Sequence, residues 1–397
     1  MKKFFNFLVA VSAMLSLTAM AASTDVSEYL DSALSILPNT LTLHVFEEIG
    51  HTNNAYKSSG DRQGSFYFKT GVSPAIHREN GNLTYGVKGR FTYDYYTRFS
   101  GDLNQFNWNI TPTISFKDDG EGLIRDVTLG LNSVAKIDSI NNRDTRYARS
   151  YTTTVKAGAD LAFTEKMGVL VNGKYVYDYY SQNEFKGFTK KKYGADLTPY
   201  FQVTERIRTG VRLGYEKVDY THERVYDDYN RYVVNAMFDY HAEQFGFTAE
   251  AGAEHMNFKG ISGYVADSDG KWKFNGNLRM KYKPVNNFET SLALSTGHEN
   301  SSTNGVNDGI RNKVTLGAKW IATSHIILMG RTGISDNDEK SSQDDNREFF
   351  AALEADYIFN NGLSVYLGYK YRNIQFRYNS DLDYSITEYF LGCRYSF

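Results

Sequence analysis

The sequence predicts an all-β protein, a transmembrane antiparallel up-and-down β-barrel of about eighteen strands, with sixteen strands as the alternative. Three observations lead to this prediction. Residues 41–397 contain many segments in which apolar and polar residues alternate with a period of two, as in strands with one apolar face. The connections between these segments are short and long in turn, as in barrels that cross a membrane. That region lacks the roughly 18 consecutive apolar residues of a membrane helix, and the mean hydropathy of the chain is −0.49.

The amino-terminal region predicts export. The chain starts with a methionine and two lysines, continues with an apolar run over residues 4–17 and has alanines at positions 19 and 21. These are the features of a secretory signal peptide, so we expect residues 1–21 to be one, cleaved after residue 21 or 22. Residues 22–40 are expected to form a separate segment, either a short helix that stops before Pro38 or a leader without regular structure.

Residues 41–397 are predicted to form the barrel. The segment 272–282 shows the alternation clearly, since apolar or aromatic residues and one glycine occupy its even positions and Lys, Asn or Arg its odd positions. Such a pattern is that of a strand between an apolar and a polar environment. The predicted strands are 41–48, 63–76, 83–96, 104–117, 123–137, 149–163, 168–181, 190–203, 206–221, 229–241, 245–258, 271–283, 288–298, 310–322, 325–335, 346–358, 363–377 and 384–397.

The connections predict the orientation. Short turns such as 79–82 and 204–205 alternate with longer polar loops such as 138–148 and 259–270 along the whole chain. Outer-membrane barrels have short periplasmic turns and long external loops. We therefore expect the protein in the outer membrane of a Gram-negative bacterium, with both ends of the barrel chain in the periplasm.

The closing strand gives the rule for the two faces. Its odd positions from 389 to 397 are Tyr, Leu, Cys, Tyr and Phe, whereas its even positions include Glu388 and Arg394. This strand resembles the last strand of bacterial outer-membrane barrels, which implies that Phe397 is part of the signal recognised by the barrel assembly machinery. We expect the odd side to face lipid and Arg394 to face the lumen. The only cysteine, Cys393, allows no intramolecular disulfide.

The predicted inner face carries many charges. An arginine or lysine near the middle of the lipid face would cost roughly 2–4 kcal/mol, so these side chains predict a polar lumen. Bases cluster on the strands 206–221 and 271–283, and rings of such bases select anions in channels. The alternative is that neighbouring carboxylates pair with them and only stiffen the wall. The lumen candidates are Arg206, Arg208, Arg212, Lys271, Lys273, Arg279, Lys281 and Arg394.

A short repeat marks the external ends of two strands. The sequence Tyr-Asp-Tyr-Tyr occurs at residues 93–96 and 177–180. Tyrosines prefer the level of the lipid headgroups, so an aromatic girdle is one interpretation. The other is a platform at the channel mouth on which sugars stack, and its candidates are Tyr93, Tyr95, Tyr177 and Tyr179.

The sequence shows no set of residues typical of catalysis. It contains no zinc-protease, nucleophile-elbow or phosphate-loop motif, and its acidic loops lack the spacing of a calcium loop. His241 and His255 have adjacent acidic residues but no identifiable catalytic partner. We therefore expect no enzyme activity, no cofactor and no metal. The net charge of −2 gives no indication of a nucleic-acid partner.

The first third of the mature chain resembles the β-barrel porin type 2 family. The resemblance lies in residues 41–48 (LTLHVFEE), 52–54 (TNN), 66–74 (FYFKTGVSP) and 83–95 (LTYGVKGRFTYDY). It implies an outer-membrane barrel of about this length with a link to exopolysaccharide production. The chain departs from the family before residue 41, and the family has no catalytic residues to carry over.

These observations predict a porin-like channel for the passive passage of polar or anionic small solutes or saccharides. A closed surface barrel that acts as an adhesin or structural protein is the alternative, and a barrel hydrolase is a third. The expected partners are outer-membrane lipids, lipopolysaccharide, the assembly machinery, oligosaccharides and further copies of the chain.

Overall fold

The structure is a computed structural model and describes residues 41–55, 57, 63–118, 122–139, 147–221, 228–259, 270–299, 309–338 and 345–397. The predicted signal peptide, residues 1–21, and the predicted segment 22–40 lie outside these ranges. Within them, no helix has the length and apolar character needed to cross a membrane.

Eighteen antiparallel strands form one closed barrel. Each strand pairs with its neighbours in the chain, and β1 pairs with both β2 and β18. Closure leaves no strand edge unpaired, which a lipid environment requires. The strands are β1 (Leu41–Thr52), β2 (Ser65–Asn80), β3 (Leu83–Tyr96), β4 (Gln105–Lys117), β5 (Ile124–Ser139), β6 (Tyr147–Ala162), β7 (Met167–Tyr180), β8 (Lys190–Thr204), β9 (Ile207–Tyr220), β10 (Asp228–His241), β11 (Phe245–Lys259), β12 (Trp272–Val285), β13 (Phe288–Glu299), β14 (Gly309–Ile321), β15 (Ile326–Asp338), β16 (Asn346–Ile358), β17 (Leu363–Phe376) and β18 (Tyr384–Ser396). One turn of helix, α1 (Ser100–Leu103), and two 3-10 segments, Asn183–Phe188 and Ser380–Leu382, lie in connections.

The predicted barrel of eighteen strands is confirmed, and the alternative of sixteen is wrong. The largest differences in strand bounds are at the start of the barrel, where β1 continues to Thr52 and β2 to Asn80. Strand β2 continues through Pro74, which has no N–H to donate to a ladder. Ser73 and Pro74 pair with β1 but not with β3, so the missing donor interrupts only one of the two ladders.

Turn chemistry places all short connections at one end of the barrel. Each even-numbered strand up to β16 is followed by two to six residues, and each odd-numbered strand up to β17 by seven to twelve. In three of the short turns a threonine hydroxyl accepts hydrogen bonds from two backbone N–H groups further along the turn, at Thr164, Thr204 and Thr323. In the turn between β2 and β3, Gly81 has a φ of +57° that favours glycine. We call the barrel end with the short connections the short-turn end and the opposite end the loop end.

The ladder registers divide every strand into an outward and an inward face. Directly paired residues of antiparallel strands point to the same side, so the faces can be followed around the barrel. On β18, Tyr389 and Leu391 are 58% and 52% exposed, whereas Phe390 between them is 6% exposed. Tyr389, Leu391, Cys393 and Tyr395 therefore point outward, and Phe390 points into the barrel. Phe397 follows the strand, is 65% exposed, and packs its ring against Tyr395 at a centroid distance of 4.6 Å.

Candidate functional site

Most of the predicted lumen bases do point into the barrel. The ladders place Arg208 beside Asp239, and Arg279 beside Thr248 and Ala293. Arg394 lies over the ring of Tyr366, with 5.1 Å from the guanidinium carbon to the ring centroid. The candidates on the inner face are Arg208, Arg212, Lys273, Arg279, Lys281 and Arg394.

The structure corrects the prediction that Arg206 and Lys271 face the lumen, because neither residue belongs to a strand. Arg206 lies in the turn between β8 and β9, where the hydroxyl of Thr204 accepts hydrogen bonds from its N–H and from the next residue. Lys271 precedes β12, since the ladder with β11 begins at Trp272 and the chain turns at Gly270, which has a φ of +67°. Both bases are at the ends of the barrel and are exposed.

The four tyrosines proposed as a sugar platform point away from the lumen. Tyr93 and Tyr95 are each 43% exposed on the outward face of β3. Tyr177 and Tyr179 stack on each other on the outward face of β7, with ring centroids 6.2 Å apart. The period of two explains the placement, because the aspartate between each pair, such as Asp94, points inward. The platform interpretation is wrong at these residues, and their position fits an aromatic girdle.

The arginines of β9 are paired with carboxylates of neighbouring strands. Arg208 donates from Nε and Nη2 to one oxygen of Asp239, at 3.2 and 3.0 Å. Arg212 donates to Asp196 on one side and to Glu250 on the other, at 3.0 and 2.9 Å. On this part of the wall the arginines are therefore paired with carboxylates, as the second interpretation of the inner-face bases expects.

The wall next to the β1–β18 junction is also filled. Lys69 is 4% exposed and lies between Glu48 and Asp94 in the ladders of β1, β2 and β3. The rings of Tyr67, Tyr366 and Phe390 form a buried cluster against it. This wall is formed by packed charges and rings.

The wall between β9 and β15 has a cavity with small residues at its floor. One row across five strands consists of Arg279 on β12, Ala293 on β13, Thr315 on β14, Gly333 on β15 and Phe350 on β16. Ala293 and Thr315 are small and leave room above the sheet beside the arginine, whereas the ring of Phe350 covers Gly333. The cavity there has a volume of about 470 Å³.

Basic side chains surround this floor. Lys313 lies one row towards the loop end and Arg331 one row towards the short-turn end. We call the cavity and its rim of Arg279, Lys313 and Arg331 the basic basin. Among the residues that the structure describes, no carboxylate lies within ion-pair distance of Arg279 or Lys313. Arg279 and Lys313 therefore present positive charge to the lumen without a direct ion pair, unlike Arg208 and Arg212.

The rest of the basin lining combines uncharged polar groups with charged ones, among them the Arg212–Glu250 ion pair and Arg231. Amide and hydroxyl groups of Asn275, Asn277, Ser295, Thr296 and Thr315 line it. Such groups donate to and accept from hydroxyl groups of a solute, while the cations attract its negative charge. Arg311 adds a further cation at the loop-end side and lies 3.6 Å from Glu348. The arrangement can hold a small, hydroxylated anion.

Three basic lining residues were missed by the sequence reasoning: Arg231, Arg311 and Arg331. The inner face of β15 carries Ile327, Met329 and Arg331 in succession, so its composition does not distinguish it from the outer face. The signal that could have found Arg331 is the four-residue turn after β14, which fixes the face of β15 from that of β14. The β9–β10 connection is longer, so it does not fix the face of β10 that carries Arg231 in the same way.

The two histidines considered for catalysis lie far apart, one on the outward face and one at the end of a strand. His255 points outward and stacks on Trp272 and Tyr232, with ring centroids 5.1 and 6.2 Å away. His241 is the last residue of β10, exposed at the short-turn end. Among the described residues, no group of three or more His, Cys, Asp or Glu side chains could hold a metal ion.

Comparison with known proteins gives likenesses to solved barrels only. No model of a protein family matches the chain, and no curated protein matches it, so membership of the β-barrel porin type 2 family stays a prediction. The chain is similar to OccK1 (OpdK) of Pseudomonas aeruginosa, with 12% identity over 90% of this chain and 98% of that one and a TM-score of 0.47. It is similar to OccK2 (OpdF) of the same organism, with 11% identity, 90% and 97% coverage and a TM-score of 0.48. It is also similar to the FrpB iron transporter of Neisseria meningitidis, with 8% identity, 92% and 82% coverage and a TM-score of 0.47.

Proposed function

We propose that the protein is a channel of the bacterial outer membrane through which small polar anions, acidic saccharides among them, pass passively. The outward face supports a membrane location, because it carries exposed leucines such as Leu213 and Leu316 between aromatic residues near both ends of the strands. Examples of these aromatics are Tyr95 at the loop end and Trp320 at the short-turn end. Outer-membrane lipids and lipopolysaccharide would then surround the barrel.

The observation that carries the proposal is the positive charge of Arg279 and Lys313 at the basic basin. Arg279 and Lys313 have no carboxylate within ion-pair distance among the described residues, whereas Arg208 and Arg212 on β9 do. A fixed, unneutralised positive charge in a lumen raises the local concentration of anions and lowers that of cations. Passage of a solute requires no bond making, so the proposed activity is transport and not catalysis.

The proposal is tested by the ion selectivity of the purified protein in planar bilayers. Under a salt gradient we expect a reversal potential that indicates a preference for anions. The double variant Arg279→Gln/Lys313→Gln should lose most of that preference. The matched control Arg208→Gln/Asp239→Asn also changes two inner-face residues but removes one positive and one negative charge, so its selectivity should equal that of the natural chain.

Other outcomes would favour the competing functions. Absence of an open current would contradict the channel and favour a closed surface barrel. An unchanged reversal potential in the basin variant would contradict the role given to Arg279 and Lys313. The link to exopolysaccharide production rests on the family resemblance alone, and a comparison of conductance with and without acidic oligosaccharides would test it.

A further inference from the structure

Several aromatic rings inside the barrel lie flat across a glycine of the neighbouring strand. A Cβ atom on Gly333 would lie 2.6 Å from Cε1 of Phe350, which is closer than carbon atoms approach. The glycine therefore leaves the space that the ring occupies against the wall. The ring and glycine pairs are Tyr67 with Gly50, Tyr200 with Gly168, Phe350 with Gly333, Phe390 with Gly368, and Tyr366 with Gly392.

Each of these rings also carries a cation. Over Phe350 the guanidinium carbon of Arg331 lies 5.3 Å and Nζ of Lys313 lies 6.0 Å from the ring centroid. A cation at such a distance from a ring is attracted by the electrons of its face. The other ring and cation pairs are Tyr67 with Lys69, Tyr200 with Arg208, Phe390 with Lys370, and Tyr366 with Arg394, at 4.8 to 5.2 Å.

Phe350 differs from the other four rings in what faces its cations. Arg208 has Asp239 at 3.0 Å and Arg394 has Asp356 at 3.8 Å. The ladder neighbours of Lys69 and Lys370 include Glu48 and Glu388, respectively.

The two cations on Phe350 have uncharged ladder neighbours. Those of Lys313 are Ser295 and Ser335, and those of Arg331 are Gly317 and Ala352. Carboxylates therefore help to hold the cations in the other four arrangements. At the basin one aromatic ring lies between two cations, and Glu348 attracts Lys313 only through space, without an ion pair.

From this arrangement we propose that Phe350 is a positioning residue that determines which anions the basin retains. Its ring holds Lys313 and Arg331 on the wall, one on the loop-end side and one on the short-turn side. The carboxylate of a hydroxylated acid would bind between these two cations, and its hydroxyl groups would meet the amides and hydroxyls of the basin lining. The inference rests on the proposed function, since it concerns the solute that the channel would carry.

The test is block of the potassium chloride current by galacturonate, with neutral galactose as the paired probe. In Phe350→Leu we expect the half-blocking concentration of galacturonate to rise about fivefold, because the cations lose the ring that positions them. The half-blocking concentration of neutral galactose should change less than that of galacturonate. The preference for chloride over potassium should remain, because no charge is removed. Phe350→Tyr keeps the ring and should restore galacturonate block.

The matched control is Tyr200→Leu, which removes a ring on the far wall from a cation that has its own carboxylate. It should leave galacturonate block as in the natural chain. If Phe350→Leu does not fold, Gly333→Ala provides the second variant. Its methyl group would lie 2.6 Å from the ring and 2.5 Å from the carbonyl oxygen of Val314, so the ring must move without being removed, and galacturonate block should weaken in the same direction.

The outcomes separate the two proposals. A natural chain without anion preference contradicts the proposed channel function and this inference with it. A natural chain that prefers anions but shows the same galacturonate block in Phe350→Leu or Gly333→Ala overturns the role of Phe350 alone. Equal weakening in Tyr200→Leu would also overturn it, since the effect would not then be specific to the basin.

Discussion

Arg231 on β10 donates two hydrogen bonds to one carboxylate oxygen of Glu254 on β11. The first comes from Nε at 2.8 Å and the second from Nη2. The same oxygen accepts from the amide of Asn275 at 3.1 Å, and the other oxygen accepts from the backbone N–H of His298 at 2.5 Å. The Glu254 side chain is 1% exposed, so these bonds replace the water that burial removes. The pair joins three neighbouring strands and a fourth beside the basic basin.

Removal of the Glu254 charge should destabilise the barrel strongly. In Glu254→Gln the half-buried Arg231 loses its counter-charge, and breaking one side of a buried pair costs about 3–5 kcal/mol. The measurement is the urea midpoint for unfolding from lipid vesicles. The control Glu289→Gln breaks a pair whose lysine, Lys281, is 62% exposed, so it should cost no more than about 1 kcal/mol. Equal losses of stability in the two variants would contradict the larger contribution of the Arg231–Glu254 pair.

A methyl group on a glycine under an inner-face ring should destabilise the barrel. A Cβ atom on Gly392 would lie 2.5 Å from Oη of Tyr366 and 2.6 Å from the carbonyl oxygen of Glu47. Overpacking of this kind costs about 1–3 kcal/mol, so Gly392→Ala should lower the unfolding midpoint. The control is Gly173→Ala, where nothing lies within 4 Å of the new methyl group. A midpoint in Gly392→Ala as high as in Gly173→Ala would contradict the close packing of Tyr366 on this glycine.

The period of two was sufficient for the barrel and for the direction of most charges. It placed Arg208 and Arg212 on the inner face, because a strand has only two faces and charge is costly on the lipid side. It could not tell whether they are paired, since pairing with Asp239 or Glu250 depends on the register of one strand against the next. Composition along a single strand contains no information on that register.

Strand ends and rows across strands were beyond the sequence reasoning for a similar reason. Arg206 continues the alternation of β9, so the sequence predicts it on that strand. It lies in the turn instead, because its backbone N–H donates to the hydroxyl of Thr204. The floor of the basic basin includes small residues contributed by two strands, Ala293 and Thr315, that become neighbours only when the ladders form. Phe350 is likewise an unremarkable strand residue until Gly333 is placed beside it.

The single cysteine offers a direct test of the outward and inward faces. Cys393 lies on the outward face of β18, between Glu47 of β1 and Val365 of β17 in the ladders. In vesicles, lipid should cover this face, so a charged, water-soluble thiol reagent should not modify Cys393 until the protein is unfolded in urea. The measurement is the mass of the protein after exposure to the reagent in the folded and unfolded states.

The control places a thiol on the other face of the wall. In a Cys393→Ser background, Ser295→Cys puts a sulfur in the lining of the basic basin. Since the proposed lumen is filled with water, this thiol should react in the folded protein, whereas Cys393 in the natural chain should not. A folded natural chain that reacts as fast as the Ser295→Cys variant would place Cys393 in water and contradict the assignment of the outward face to lipid. Protection of both thiols would instead show that the basin is closed to the reagent, which would contradict the proposed passage of anions through it.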